Sequence, residues 1–456
     1  MVHRPVIAMV TGRKALRGTS MPFNSYTRRH VALSMLAIPL ATAGTGAHAA
    51  SRKILITAFG AIGDDQTVNT RAIQAAIDHA AAQGCGTVIV PDGVFVTGAL
   101  FFKPRVNLHL EKGAVLRCST DVATDFPAQR TRIEGHFEDR FTPALINAAG
   151  CNGFKISGQG TLDGAGQIVW DTFWRLRDAA PDRDNFPNLS VPRARLALIE
   201  DSRDVVIEGI TFKDSQFWNL HLYRCQGVVV RKSRFVVPDG VRAPSSDGID
   251  IDSCQRVSVE DCYFSVTDDC IAAKGSKGPE ALQDKDSPPV EGIRIRRCEF
   301  RRGHGLFTCG SEATIVRDVV VEDCKVSGAM PVVRLKLRPD TPQHYENIIY
   351  RNLTFDASGG DLIAILPWSQ YKNLGDNVPP NSVVRNVQLI GFRGRYGAFG
   401  TIAPNPGQTT ISDIVLKNWD MQLKTPNLKA TGVVRLRSEK VRINGRAYET
   451  VSEGRG

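Results

Sequence analysis

Four short runs hold the side chains with which this sequence could do chemistry: Ser246-Asp247-Gly248, Thr267-Asp268-Asp269-Cys270, Gly303-His304-Gly305 and Arg334-Leu335-Lys336. Three carboxylates confined together repel one another, which raises the pKa of at least one and keeps a proton available near neutral pH. An acid beside a base results. Glycosidic hydrolysis needs that pair, one carboxylic acid to protonate the departing oxygen and one carboxylate to activate water. Arg334 and Lys336 suit a carboxylate on the neighbouring sugar. Singly the runs are commonplace, since Asp-Gly is usually a turn, an Asp doublet a solvated loop and a Gly-flanked His a bend. Their order and spacing matter more: 21 residues from Asp247 to Asp268, 36 from Asp268 to His304 and 30 from His304 to Arg334.

That spacing matches a repeat. An eight-residue phrase of alternating β-branched residues, two polar or small residues and often a final aromatic recurs as VVIEGITF (205–212), VVVRKSRF (228–235), VSVEDCYF (257–264), IRIRRCEF (293–300), VVVEDCKV (319–326) and IIYRNLTF (348–355). Looser copies start at 154, 387 and 414. From 205 onward the starts are separated by 23, 29, 36, 26, 29, 39 and 27 residues, one phrase per coil of variable length. Period-two alternation makes each phrase a strand, and a single strand phrase per coil without helical patterns between favours a solenoid, here a parallel β-helix. Adjacent parallel strands sit about 4.8 Å apart, so equivalent places on successive coils form columns and the four runs should meet. In Val333–Leu337 the apolar Val333, Leu335 and Leu337 alternate with Arg334 and Lys336, so both cations project outward. Asp268 and Asp269 cannot both point outward from a regular strand and are expected at the turn leading into CIAAKG. The open end of the solenoid needs a cover. Thr70–Ala82 supplies a helix with Ala72, Ile73, Ala76, Ile77 and Ala80 on one face and Asn69 as cap. Residues 163–192 and 275–289 break the period and are expected to be loops leaving the solenoid.

The formal charge of +10 says little about partners, because residues 1–49 carry six basic and no acidic residues, leaving 51 basic against 47 acidic in the rest. Those 49 residues read as an export signal: Arg28-Arg29, an apolar stretch from Val31 to Ala43, and the small-residue pattern Ala47-His48-Ala49. The paired arginines resemble a bacterial twin-arginine signal, and a periplasmic or secreted destination follows. Residues 50–456 are expected to be one catalytic β-helix. No apolar run reaches the roughly 18 residues of a membrane-spanning helix. Cys262, Cys298 and Cys324 share one place in the repeat, so stacked free thiols are expected as readily as disulfides, and no Cys spacing fits zinc.

From about residue 56 to beyond 400 the sequence resembles glycoside hydrolase family 28, the polygalacturonases and their relatives, in the entry phrase AFGAIGDDQTVNTRAIQAAIDHAAAQGCGTVIVPDG and in the four runs in family order. The resemblance implies a right-handed parallel β-helix, no metal or organic cofactor, and hydrolysis of α-1,4-galacturonan with inversion. By motif, Asp268 would be the general acid, Asp247 and Asp269 would position and deprotonate water, and His304 would tune the acid. Arg334 and Lys336 match the family's Arg-Ile-Lys, with Leu335 for Ile, and would hold the galacturonate carboxylate. The implied partner is an acidic pectic polysaccharide or oligogalacturonide, with no nucleic acid or membrane, and the chain is expected to be a monomer.

The sequence departs from the pattern in two places. The family's Asn-Thr-Asp is Ser245-Ser246-Asp247, and its subsite tyrosine has no clean match, with Trp368 and Tyr371 as candidates. Trp218 and His221, one coil earlier, could line a groove or simply be buried. Three alternatives stand beside polygalacturonate hydrolysis: a rhamnogalacturonan or xylogalacturonan hydrolase, a calcium-dependent pectate lyase, and a solenoid that binds polysaccharide without cleaving it. Endo or exo action depends on whether loops close the groove at one end.

Overall fold

In a computed structural model, residues 52–368 and 381–450 are described; the expected leader at 1–49 and the candidate Tyr371 lie outside them. Along the solenoid, strands pair in parallel with their counterparts one coil on. Ile249–Asp252 pairs with Asp269–Lys274, which pairs with Gly305–Cys309, which pairs with Val333–Leu337. A second sheet contains Gln255–Glu260 beside Val290–Arg296, and a third contains Tyr263–Ser265 beside Glu299–Arg302. Three parallel sheets wound this way make a right-handed parallel β-helix.

The repeat phrase is two strands, not the single strand its alternation suggests. VSVEDCYF divides into Gln255–Glu260 and Tyr263–Ser265, bent at Asp261 with φ 54°. Equivalent corners fall at Lys232, Arg297, Asp323 and Asn352, with φ of 52°, 53°, 54° and 57°. Asp and Asn tolerate this left-handed backbone best, while for Lys232 and Arg297 it costs about 1–2 kcal/mol, offset by packing on both sides. Inside the corners the phrase-ending aromatics stack: Phe212, Phe235, Phe264 and Phe300 stand with ring centroids 4.7, 5.0 and 5.1 Å apart, close to the strand spacing. The thiols beside them form a ladder as expected. All ten cysteines are free and all but Cys85 are buried, and the Cys298 N–H donates to Cys324 Sγ at 3.4 Å.

The covering helix runs over Thr70–Ala82 and buries Ile73, Ala76, Ile77 and Ala80, with Ala72 half-buried beside them. Asn69 does not cap it through its side chain. That amide instead accepts from the Ile62 N–H at 2.7 Å and donates to Ile62 O and Thr67 O, pinning the preceding loop. Two further differences bear on the site. Residues 163–192 are not plain loop but contain a helix, Gln167–Asp178, burying Val169, Trp170 and Phe173. A hairpin of Gln129–Ile133 and His136–Phe141, which the sequence did not announce, leaves the solenoid three coils before the first acidic run. Among the described residues no helix is long and apolar enough to cross a membrane.

Candidate active site

Asp247, Asp268 and His304 each lie one or two residues ahead of a first-sheet strand on three successive coils. Backbone bonds stitch these entry loops together: Gly248 N–H donates to Asp269 O and His304 N–H to Asp268 O, both at 2.9 Å. Arg334 and Lys336 project outward from Val333–Leu337 while Val333, Leu335 and Leu337 pack into the core, as the alternation predicts. The registry therefore brings all six predicted residues to one place, and the three carboxylates each offer an oxygen within 4.8 Å of the other two. The acidic doublet is divided between two environments. Asp268 stays in the turn with 29% of its side chain exposed, whereas Asp269 is the first residue of its strand and fully buried.

Asp269 is the hub. Its Oδ1 accepts from Thr308 Oγ1 at 2.8 Å and Arg334 Nη1 at 2.9 Å, and its Oδ2 from Lys336 Nζ at 2.8 Å. Gly305 makes this possible, because a Cβ there would stand 2.2 Å from Thr308 Oγ1 and 2.9 Å from Asp269 Oδ1. Asp268 Oδ1 accepts from the Asp269 N–H at 2.9 Å and lies 3.4 Å from His304 Nδ1, on a ring 62% exposed. Asp247 is buried with Lys274 Nζ 3.9 Å away. Asn219, from the preceding coil, fixes the backbone of this run, donating to Asp247 O at 2.9 Å and Ser246 O at 3.3 Å.

These surroundings sort the protons. Burial, followed by the charges of Asp268 and Asp250, pushes Asp247 well above the usual carboxylate range. Burial also works against ionised Asp268, but the His304 bond and charge, then Lys336 and Arg334, outweigh it and hold the group low. Asp269 follows the same pattern, with burial outweighed by Lys336 and Arg334. His304 is raised by its bond to and the charge of Asp268. The raised carboxylate that crowding predicts therefore exists, and it is Asp247 rather than Asp268.

A cavity of about 630 Å³ surrounds this cluster. Trp368 lies on its wall with Lys336 Nζ 4.7 Å and Arg334 Cζ 5.6 Å from its ring centre. Trp218 also lines it, with Lys274 Nζ 4.9 Å from its ring. His221 does not. It is wholly buried, its ring taken by Arg195 at 2.8 Å and Asp252 at 3.4 Å, and burial holds its pKa down to about 4. Several lining residues escaped the sequence reading. Lys274 closes its strand at an outward position and lies 3.7 Å from both Asp250 and Glu312; the alternation of CIAAK could have found it. Glu134 and Asn188, on the hairpin and the insertion, carry no one-coil spacing and could not have been found that way.

A parallel β-helix with acids, an imidazole and two cations converging on one sheet face is a carbohydrate-hydrolase architecture. The chain belongs to glycosyl hydrolases family 28, whose family model matches residues 104–425. It is similar to a probable polygalacturonase of Vitis vinifera, 28% identical over 318 residues, covering 68% of this chain and 61% of that protein. An exo-poly-alpha-D-galacturonosidase of Dickeya chrysanthemi is 26% identical over 435 residues, covering 86% of this chain and 69% of that one. Among solved structures, a hyperthermoactive exopolygalacturonase from Thermotoga maritima shares the fold with a TM-score of 0.68 and 22% identity, over 87% of this chain and 93% of that one. The chain thus spans about three fifths of the length of its grapevine relative.

Proposed function

We propose that the protein hydrolyses α-1,4-galacturonosidic bonds in polygalacturonate or pectin, with the chemistry at Asp247, Asp268 and Asp269. The observation that carries this reading is the triple carboxylate cluster, oxygens within 4.8 Å, flanked by His304 on one side and by Arg334 and Lys336 on the other. Burial and the neighbouring charges favour the protonated form of Asp247. A galacturonate carboxylate seats against Arg334 and Lys336, and Asp268, beside His304 and reachable from solvent, is the acid placed to carry the proton to the glycosidic oxygen. Asp268 then protonates the departing oxygen, and ionised Asp247 with Asp269 receives the proton of the attacking water. Polygalacturonase names among the relatives support this substrate.

Inversion belongs to the same reading. The acids stand closer than the about 6.5–9.5 Å of a two-carboxylate inverting site. Here water is held by a third acid, while Asp269 spends its oxygens on Thr308, Arg334 and Lys336 and is unsuited to attack the sugar. Proton NMR of early digestion tests both points. The reading expects reducing ends to appear, with the β anomer first; α first would mean a covalent intermediate, and no reducing ends would end the proposal. Export on residues 1–49 completes it, since pectin lies outside cells, and a mature mass starting near Ala50 is the expected result.

A further inference from the structure

We propose that the site is a blind pocket admitting one end of a galacturonan chain, so that the enzyme is exo-acting, and that the hairpin Gln129–Phe141 closes it; this rests on the hydrolase reading above. Along a solenoid the first sheet is a ribbon passing every coil, and a polymer could lie along it straight through the site. Here the hairpin lies across that ribbon. It leaves between Ala114–Cys118 and Ile146–Ala149, at the entry edge of the first sheet. Its tip is seated at the opposite edge. Gly135, with φ 80°, is placed so that a Cβ would stand 3.0 Å from Glu312 Cβ and 3.0 Å from Gly275 O. Arg132 fastens the same arm, donating to Gly275 O at 3.0 Å and Asp252 Oδ2 at 3.3 Å.

What lies beneath is sealed. Arg195 and His221, ahead of the acidic coils, are 0% exposed. Arg195 donates to Arg132 O and Thr131 Oγ1, both at 2.8 Å, and Phe137 meets Tyr223 edge-on at 5.8 Å. The insertion backs the hairpin, with Asn188 Nδ2 donating to Glu134 Oε1 at 2.5 Å. The mouth lies on the other side, where His304 and Arg242 are exposed. The cavity of about 630 Å³ falls within the range of small-ligand pockets, about 300–1,000 Å³.

The end wall is chemically suited to a chain end. Glu134 and Glu312 face the cavity. Carboxylates at a wall otherwise fed by Asn188 and Ser311 accept from hydroxyls, and a terminal sugar offers a free hydroxyl where an internal one carries a glycosidic bond.

The test uses the full chain on polygalacturonate and on oligogalacturonides blocked at one end, either by reduction of the reducing end or by an unsaturated, 4-hydroxyl-free unit at the other. The proposal expects a single short product from the earliest time, little early loss of viscosity, and one of the two blocks slowing cleavage by at least about a hundredfold. Glu134→Gln should slow oligomer cleavage while leaving product size unchanged. Replacing the hairpin tip with a short turn should add longer products, and the wild-type profile decides the matter if that variant does not fold. A spread of oligomers from wild type with early viscosity loss, or indifference to both blocks, overturns the blind end alone. No release from any galacturonan overturns the hydrolase reading and this one with it.

Discussion

On the inward side of the first sheet, Ile249, Ile271, Phe307 and Val333 stand one above another, all buried. On the outward side of the same strands, the matching column reads Asp250, Ala272, Thr308 and Arg334. One registry builds both. Inward it repeats a single chemistry on each coil, and each fully buried side chain contributes about 1.5–3 kcal/mol. Outward it changes residue type at every step, so that groups far apart in sequence meet as acid, hydroxyl donor and cation. Stability comes from sameness along the axis and function from difference along it, and the two should be separable by mutation.

Phe307→Ala should break the inward column hardest, costing about 3–5 kcal/mol in denaturant unfolding while the folded fraction keeps its turnover. A matching fall in kcat would show that the two sides are not independent. Asp269→Asn should do the converse, cutting kcat by about a thousandfold, which is about 4 kcal/mol of barrier, with native near-ultraviolet circular dichroism. Lys336→Met removes one charged bond worth about 1.5–3 kcal/mol, and it should raise KM for oligogalacturonides by at least about tenfold with less effect on kcat. The smallest effect is a pH dependence. His304 is raised by its bond to Asp268, so its stabilising contribution is complete below its unfolded value of about 6.5 and is lost as pH rises through the folded one. The gap in thermal midpoint between wild type and His304→Ala should therefore be widest on the acid side and close toward alkaline pH.

The parts legible in the sequence are those that registry dictates. The helix Thr70–Ala82, the thiol ladder and the convergence of Asp247, Asp268, Asp269, His304, Arg334 and Lys336 all follow from counting along repeats and faces. The corner at Asp261 was hidden because its left-handed residue takes no core position, and alternation resumes on the far side as if the strand were unbroken. The helix Gln167–Asp178 was masked by the Asp, Pro and Arg around it, although Val169, Trp170 and Phe173 fall on one helical face. Which acid holds the proton depends on the distances to Lys336, Arg334 and His304, and spacing along a chain does not contain them. Glu134 comes 113 residues before Asp247, on a hairpin that crosses the sheet instead of following the coil.

Asp268→Asn tests the central claim most directly, because it replaces the proposed acid with a neutral side chain of the same shape. Reducing-sugar release from polygalacturonate should fall by about 10²–10⁴-fold, with the near-ultraviolet dichroism of wild type. Release at an undiminished rate would remove Asp268 from the chemistry and contradict the account.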